Sequence, residues 1–120
     1  MFELAIAGDF ASAHFLRNYE GPCKNLHGHT WKVEATIQSE DLNEIGLVVD
    51  FRDMKQRLKQ VLMPIDHVCL NDLPYFKELN PSTENLAQYI YREFAKDCRP
   101  FILKHVRVWE SETSSVTYSE

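Results

Sequence analysis

The stretch Pro22–Ile37, PCKNLHGHTWKVEATI, decides the fold, because it joins a metal-binding pattern to the clearest strand in the chain. From His27 to Gln38 the side chains alternate between a mostly apolar set and a polar set. Such a period of two predicts an antiparallel strand with one buried face. Two histidines, with Cys23 just upstream, therefore stand at the head of this strand. The predicted buried face carries His27, His29, Trp31, Val33, Ala35 and Ile37.

Another strand is predicted ahead of this one, from Phe2 to about Phe15. Gly8 falls on its apolar face and predicts a bulge, since glycine inside a strand often marks one. Gly21 and Pro22 form a turn signal between the two strands. The side chains that share one face of the earlier strand are Phe2, Leu4, Ile6, Phe10 and His14.

The rest of the chain predicts two helices followed by two strands. Asp50 is a suitable N-cap for the first helix, and Pro64 ends it. Strands, then helices, then strands indicate an α+β fold, with a four-stranded antiparallel sheet and both helices on one face. The two edge strands of such a sheet invite pairing, so we expect an oligomer. The predicted ranges are Phe51 to about Met63 and Pro81 to about Asp97 for the helices, and Phe101 to about Ser111 and Val116 to Tyr118 for the strands.

Composition restricts the class of protein. The 120 residues suit one domain spanning residues 1–120, with an ordinary content of 44% apolar and 26% charged residues. The formal charge of −5 argues against non-specific binding to nucleic acid or to an anionic membrane. No apolar run is long enough to span a bilayer, and the N-terminus lacks a signal-peptide pattern. Three cysteines without a disulfide spacing predict free thiols and a cytoplasmic location.

Three histidines are candidate metal ligands. His27 and His29 lie two residues apart, so both rings point to the same side of their strand. His14 ends the preceding strand, and antiparallel pairing would bring its ring beside theirs. Three neutral imidazoles suit Zn²⁺, although iron, copper and nickel also accept this ligand. The alternative is that all three are ordinary core or rim histidines.

The role of Cys23 stays open at this point. As a fourth ligand it would close a Cys-His₃ tetrahedron, which would hold the fold and do no chemistry. With three histidine ligands only, one coordination position is open, and a nearby Cys23 would act as a thiolate base. A third alternative is that Cys23 is a loop residue with no role.

Two further positions carry candidate acid–base or binding groups. Asp66-His67 is a proton-transfer pair if a turn or a subunit boundary brings the two side chains together. A surface acid beside a rim histidine is the alternative. Glu110 shares its strand face with apolar residues, so its carboxylate needs a basic partner or a ligand with two parallel N–H donors. Glu112 lies nearer the following turn and is expected to be solvated.

Five motifs follow one another along the chain: His14, CKNLHGH (Cys23–His29), DH (Asp66-His67), PSTENLA (Pro81–Ala87) and WES (Trp109–Ser111). In this order they resemble the 6-pyruvoyl-tetrahydropterin synthase family. The three-residue gap between Cys23 and the HGH motif is similar to that of the 6-carboxy-tetrahydropterin synthases of queuosine biosynthesis, a branch of this family. Pyruvoyl-forming members typically have a longer gap, and some variants have glutamate in place of this cysteine.

The resemblance implies a tunnelling fold, in which three subunits form a barrel and two barrels stack as a homohexamer. It also implies active sites at subunit interfaces. The implied substrate is a small pterin, 7,8-dihydroneopterin triphosphate, which the carboxy branch converts to 6-carboxy-5,6,7,8-tetrahydropterin with release of acetaldehyde and triphosphate. Formation of 6-pyruvoyl-tetrahydropterin is the alternative reaction. A non-enzymatic zinc- or pterin-binding module is the alternative of another class.

The resemblance also implies catalytic roles. Cys23 is expected to abstract a proton from the substrate side chain. His67, oriented by Asp66, is expected to carry protons on the other face, in a pocket that belongs to a neighbouring subunit. The expected ligands of Zn²⁺ are His14, His27 and His29.

The resemblance also implies which residues bind the substrate. Glu110 is expected to accept the exocyclic amine and the ring N–H of the pterin, while Thr83 and Glu84 line the pocket. The triphosphate needs cationic partners, for which Lys24, Arg17 or a neighbour's basic side chain are candidates.

Overall fold

The computed structural model describes all 120 residues. Its elements, in chain order, are β1 (Phe2–His14), β2 (His27–Ser39), α1 (Phe51–Leu62), α2 (Thr83–Ala95), β3 (Ile102–Ser111) and β4 (Ser114–Tyr118). The four strands form one sheet in the order β1-β2-β3-β4, and every neighbouring pair is antiparallel. The predicted α+β architecture is therefore confirmed.

β1 and β2 pair along their full length of 13 residues, and this pairing positions the candidate ligands. Phe2 lies opposite Ser39 at one end, and His14 lies opposite His27 at the other. His29 follows two residues along β2, on the same face as His27. The register thus brings the two predicted ligand-bearing strand ends together.

Both helices pack against one face of the sheet and bury their apolar stripes there. Asp50 caps α1 by accepting the N–H of Arg52 at 2.8 Å, and Ser82 caps α2 by accepting the N–H of Asn85 at 3.2 Å. Neither helix has the length and apolar character that crossing a membrane requires. The shared core includes Phe10, Trp31, Val33, Leu58, Leu86, Ile90, Phe94 and Val108, none of them more than 1% exposed.

Gly8 does not mark a bulge, so that prediction is wrong. β1 and β2 stay in register through Gly8, which lies opposite Val33. A Cβ atom at this position would lie 3.2 Å from Cδ2 of Leu58, so the missing side chain lets α1 approach the strand closely. One irregularity of the sheet lies instead between Thr36 and Ile37 in β2, and another lies at the end of β3.

The predicted boundaries differ from the observed ones by two residues at most. α2 ends at Ala95, short of the predicted Asp97. β4 begins at Ser114 rather than at Val116. The prediction missed its first two residues because both are serines and show no apolar alternation. These shifts change neither the order of the elements nor the face that each element buries.

β1 and β4 form the edges of the sheet, but they are not equally open. A segment after α1 covers β1 near its end. There, the N–H of His67 donates to the carbonyl of Ala11 at 2.6 Å, and the N–H of Ala13 donates to the carbonyl of Val68 at 3.0 Å. The remainder of β1 and all of β4 keep one side unpaired within this chain. These open edges are the feature from which an oligomer is predicted.

Candidate active site

Three histidine rings converge where β1 ends and β2 begins. His14 is 2% exposed, whereas His27 and His29 are half-buried. Nε2 of His14 lies 3.1 Å from Nε2 of His27. One ring nitrogen from each of the three residues lies within 4.8 Å of the other two. The structure therefore brings together all three of the predicted metal ligands.

The hydrogen bonds around this histidine cluster test whether it suits a cation. Nδ1 of His14 lies 2.7 Å from the carbonyl oxygen of Pro81, and Nδ1 of His27 lies 2.7 Å from that of Asn25. A carbonyl only accepts, so each Nδ1 carries the proton and each neutral Nε2 carries a lone pair. Nε2 of His29 is buried without a hydrogen-bond partner. Lone pairs that face each other at 3.1 Å, beside an unpartnered nitrogen, fit a cation held among them.

Burial keeps two of these rings neutral. Loss of solvation lowers the pKa of His14 below its usual range, against a smaller opposite effect of the hydrogen bond to Pro81. Loss of solvation also lowers the pKa of His29, and the carboxylate of Glu110 only partly offsets this change. Neutral imidazole is the form that binds a metal, so burial favours metal binding at neutral pH.

Trp31 packs against the histidine cluster from the core side. Its side chain is fully buried. Its ring centroid lies 4.9 Å from that of His14 and 5.0 Å from that of His29, in edge-to-face arrangements. Close packing against a large buried ring restricts the rotamers of both imidazoles. The core itself therefore holds these two candidate ligands in place.

Cys23 lies near the histidine cluster in sequence but is not one of its members. It is a half-buried free thiol in a single 3-10 turn, Pro22–Lys24. Its carbonyl accepts the N–H of Leu16 at 2.8 Å, which ties this turn to the chain just after β1. Its sulfur is not among the donor atoms that lie within 4.8 Å of one another. The geometry favours a three-histidine site over the closed Cys-His₃ alternative.

Glu110 reaches the histidine cluster from β3. Its Oε1 lies 3.9 Å from Nε2 of His29, and its Oε2 accepts a hydrogen bond from the hydroxyl of Thr83 at 2.8 Å. Together with Glu84, Thr83 and Glu110 line a cavity of about 240 Å³. The structure thus places in one cavity the three residues that are expected to contact the pterin. The other lining residues are Ser114, Ser115 and Val116.

Asp66 and His67 form a hydrogen-bonded pair on the surface. Nδ1 of His67 lies 2.8 Å from Oδ1 of Asp66, and the left-handed backbone at His67, with a φ of 57°, supplies the turn that this contact needs. The same Oδ1 accepts the N–H of Ala11 at 2.9 Å, which is the main cause of the lowered pKa of Asp66. The side chain of His67 is 80% exposed, and its anchor at Ala11 is about 10 Å along β1 from His14. Within one chain, this pair is separate from the histidine cluster.

Arg17 has a structural role that the sequence did not reveal. Its guanidinium donates to the carbonyl oxygens of Phe76 at 2.8 Å, Leu79 at 3.4 Å and Asn71 at 3.5 Å. These hydrogen bonds fix the side chain against the loop between α1 and α2, beside the site. Arg17 is therefore a poor candidate for binding the triphosphate, whereas Lys24 is exposed.

Some groups that contact the histidine cluster or the backbone just after it were not predicted. They are the carbonyl of Pro81, the ring of Trp31, and the side chains of Asn71 and Asn80, which bind the backbone just after His14. Trp31 continues the alternation of the two histidines along β2, and this was the one signal in the sequence that pointed to such a support.

Several known proteins are similar to this chain in sequence. The family model described as 6-pyruvoyl tetrahydropterin synthase matches residues 3–120. A 6-carboxy-5,6,7,8-tetrahydropterin synthase of Haemophilus influenzae is 32% identical over 143 aligned positions, which cover 100% of both chains. The 6-pyruvoyl tetrahydrobiopterin synthase of Homo sapiens is 35% identical over 102 residues, which cover 82% of this chain and 70% of the human one.

The fold is shared with solved structures. The 6-pyruvoyl tetrahydropterin synthase of Caenorhabditis elegans matches with a TM-score of 0.90 at 24% identity, over 99% of this chain and 95% of that one. The enzyme of the same name from Plasmodium vivax matches with a TM-score of 0.75 at 20% identity, over 98% of this chain and 96% of that one. These likenesses identify the tunnelling fold, and the sequence matches extend over nearly the whole chain. This chain belongs to the 6-pyruvoyl tetrahydropterin synthase family.

Proposed function

We propose that this protein is a lyase of queuosine biosynthesis. It converts 7,8-dihydroneopterin triphosphate to 6-carboxy-5,6,7,8-tetrahydropterin, consuming water and releasing acetaldehyde and triphosphate. The observation that supports this proposal most directly is the three-imidazole cluster beside Glu110. It occurs in a chain that aligns over its full length with a 6-carboxy-5,6,7,8-tetrahydropterin synthase.

The carboxylate of Glu110 would anchor the pterin ring. A pterin presents an exocyclic amine and a ring N–H side by side, and a carboxylate accepts such a pair as a fork. The hydroxyl of Thr83 already donates to Oε2, which fixes the plane of the carboxylate and leaves further acceptor positions on both oxygens. Because Oε1 is 3.9 Å from Nε2 of His29, a ring anchored there would present its side chain to the histidine cluster.

The donor set suits Zn²⁺, which prefers nitrogen and sulfur ligands. His14, His27 and His29 would hold the ion. When bound, it supplies Lewis-acid polarisation of an oxygen on the substrate side chain. Because only three protein donors converge, the site leaves one position for the substrate.

Two groups would move protons. The thiolate of Cys23 would take a proton from a carbon of the substrate side chain. The hydrogen bond from the N–H of Leu16 to the carbonyl of Cys23 would hold this residue near the histidine cluster. His67 would exchange protons at Nε2 on the opposite face. Its Nδ1 donates to Asp66 at 2.8 Å, which fixes the tautomer that leaves Nε2 as the acceptor.

A homo-oligomer, built on trimers and assembled as a hexamer, would complete the site. The exposed ring of His67 and the open edges of β1 and β4 support this part of the proposal. In such an assembly, His67 of one copy would serve the pocket of another copy.

Mass analysis of the product tests the proposed reaction. After incubation with 7,8-dihydroneopterin triphosphate, we expect 6-carboxy-5,6,7,8-tetrahydropterin and free acetaldehyde. Relatives named 6-pyruvoyl tetrahydrobiopterin synthase, at 36% and 35% identity, support 6-pyruvoyl-tetrahydropterin as the second candidate product, which retains the carbons otherwise released. Recovery of unchanged substrate would contradict both reactions and favour a non-enzymatic zinc- or pterin-binding module.

Glu110→Gln is expected to raise KM for the pterin substrate by about tenfold to 100-fold. An amide cannot accept two N–H donors as a charged fork, and a hydrogen bond to a charged group contributes roughly 1.5–3 kcal/mol. Steady-state kinetics on the purified variant measure this effect. Glu112→Gln is the matched control: Glu112 is exposed and lines a different cavity, so its KM should not change. An unchanged KM in Glu110→Gln would remove the anchoring role.

A further inference from the structure

The chain just beyond β1 is held by side chains rather than by a strand. The pairing of β1 with β2 ends at His14. The N–H of Phe15 donates to Oδ1 of Asn71 at 3.0 Å, and Nδ2 of Asn71 donates to the carbonyl of Phe15 at 3.0 Å. The N–H of Arg17 donates to Oδ1 of Asn80 at 2.9 Å, and Nδ2 of Asn80 donates to the carbonyl of Arg17 at 3.0 Å. Two asparagine amides thus make the paired bonds that a neighbouring strand would make.

Asn80 also connects this segment to the ring of His14. Pro81 follows Asn80, and its carbonyl accepts the Nδ1 proton of His14 at 2.7 Å. The carbonyl of Asn80 accepts Nδ2 of Asn85 at 2.8 Å, which joins this turn to the start of α2. His14 is therefore fixed twice, through the backbone that follows it and through the carbonyl that its ring contacts.

Asn71 provides the second fixed point. It is 4% exposed, so removal of its amide would leave the N–H and carbonyl of Phe15 without partners in a poorly solvated place. Its own carbonyl is one acceptor of the Arg17 guanidinium, at 3.5 Å. The two asparagines and Arg17 thus form one connected support directly after the ligand.

We propose that Asn71 and Asn80 are positioning residues of the metal site, which hold the end of β1 so that Nε2 of His14 faces His27. The inference rests on the metal site of the proposed function and not on which reaction follows. Groups that orient a metal ligand without touching the metal typically contribute about tenfold to 100-fold to metal affinity. Neither asparagine carries a charge, so their contribution comes from geometry.

Cobalt binding to the full-length protein tests this proposal. Competition with a chromophoric chelator gives the dissociation constant of Co²⁺, and the visible absorption of the bound ion reports its coordination geometry. Asn80→Ala and Asn80→Asp both remove the donor to the carbonyl of Arg17. We expect each to weaken Co²⁺ binding about tenfold to 100-fold and to alter the visible bands, with circular dichroism showing a folded chain.

The aspartate variant separates geometry from electrostatics. It keeps the size and the acceptor of asparagine but adds a negative charge, which by attraction alone would tighten Co²⁺ binding. Weaker binding in both variants supports positioning. Tighter binding in Asn80→Asp, or an unchanged constant and spectrum in both variants, overturns it. If Asn80→Ala does not fold, the isosteric Asn80→Asp decides the question.

Asn43→Asp is the matched control. Asn43 lies in the loop after β2, where its Oδ1 accepts the N–H groups of Ile45 and Leu47 at 3.0 Å, at the end of the sheet away from His27. Its Co²⁺ constant and spectrum should equal those of the unchanged protein. The Co²⁺ constants decide the positioning proposal whether or not 7,8-dihydroneopterin triphosphate is converted, so the two proposals can fail separately. Absence of Co²⁺ binding by the unchanged protein would overturn the positioning proposal and the metal site of the proposed function, whereas product analysis alone decides the reaction.

Discussion

Cys23→Ala is expected to lower turnover of 7,8-dihydroneopterin triphosphate by about 10²–10⁴-fold, the usual contribution of a positioned acid or base. The metal content should stay near that of the unchanged protein, because the sulfur of Cys23 lies outside the set of donor atoms formed by the three histidines. The measurement is kcat together with metal per chain by elemental analysis. Turnover and metal content are therefore expected to respond differently to this one substitution.

Cys69→Ala is the control for this prediction. Cys69 is also a half-buried free thiol, and the proposed mechanism gives it no role, so turnover should not change. Loss of the metal in Cys23→Ala would instead favour the closed Cys-His₃ site. Unchanged turnover in Cys23→Ala would favour a cysteine without a role.

His29→Ala is expected to weaken metal binding about 100-fold and to lower turnover with it. Structural zinc sites bind with about 10–16 kcal/mol spread over four ligands, so the loss of one ligand costs roughly 3 kcal/mol, or about 100-fold in affinity. Only His14, His27 and His29 have donor atoms within 4.8 Å of one another in this site, so the variant would keep two of the three imidazoles. Metal retained after dialysis, followed by activity before and after metal is added back, measures the effect.

His105→Ala controls for the loss of a histidine as such. His105 is half-buried on β3, opposite Thr36, and takes no part in the histidine cluster. We expect its variant to keep both metal and turnover. A His29→Ala protein that retained a full complement of metal and normal turnover would rule out the three-histidine site.

The sheet and the convergence of the three histidines were predictable because their signals are local. The alternation along β2 places His27 and His29 on one face, and antiparallel pairing of two strands joined in sequence places His14 opposite His27. The two-residue period of side chains along a strand and the order of the strands in the chain suffice for such inferences. The location of Glu110 on that same face also followed from its strand parity.

The supports of the site were not predictable, because they depend on contacts between distant parts of the chain. Asn71 binds Phe15 across 56 positions, and Asn80 binds Arg17 across 63. An asparagine in a loop ordinarily signals a turn, and nothing local distinguishes one that binds a remote backbone. Gly8 shows the same difficulty: glycine within a strand has several causes, and the approach of Leu58 is visible only in three dimensions.

Both sides of β1 make contacts that depend on its register, and this restricts where the chain tolerates insertions and deletions. One side of β1 sets His14 opposite His27, while its other side binds the segment that carries His67. Adding or removing a single amino acid between Ala11 and His14 would turn the ring of His14 to the opposite face relative to the backbone that binds the His67 segment. Natural length variation should therefore be confined to connections such as residues 18–22 and 40–49.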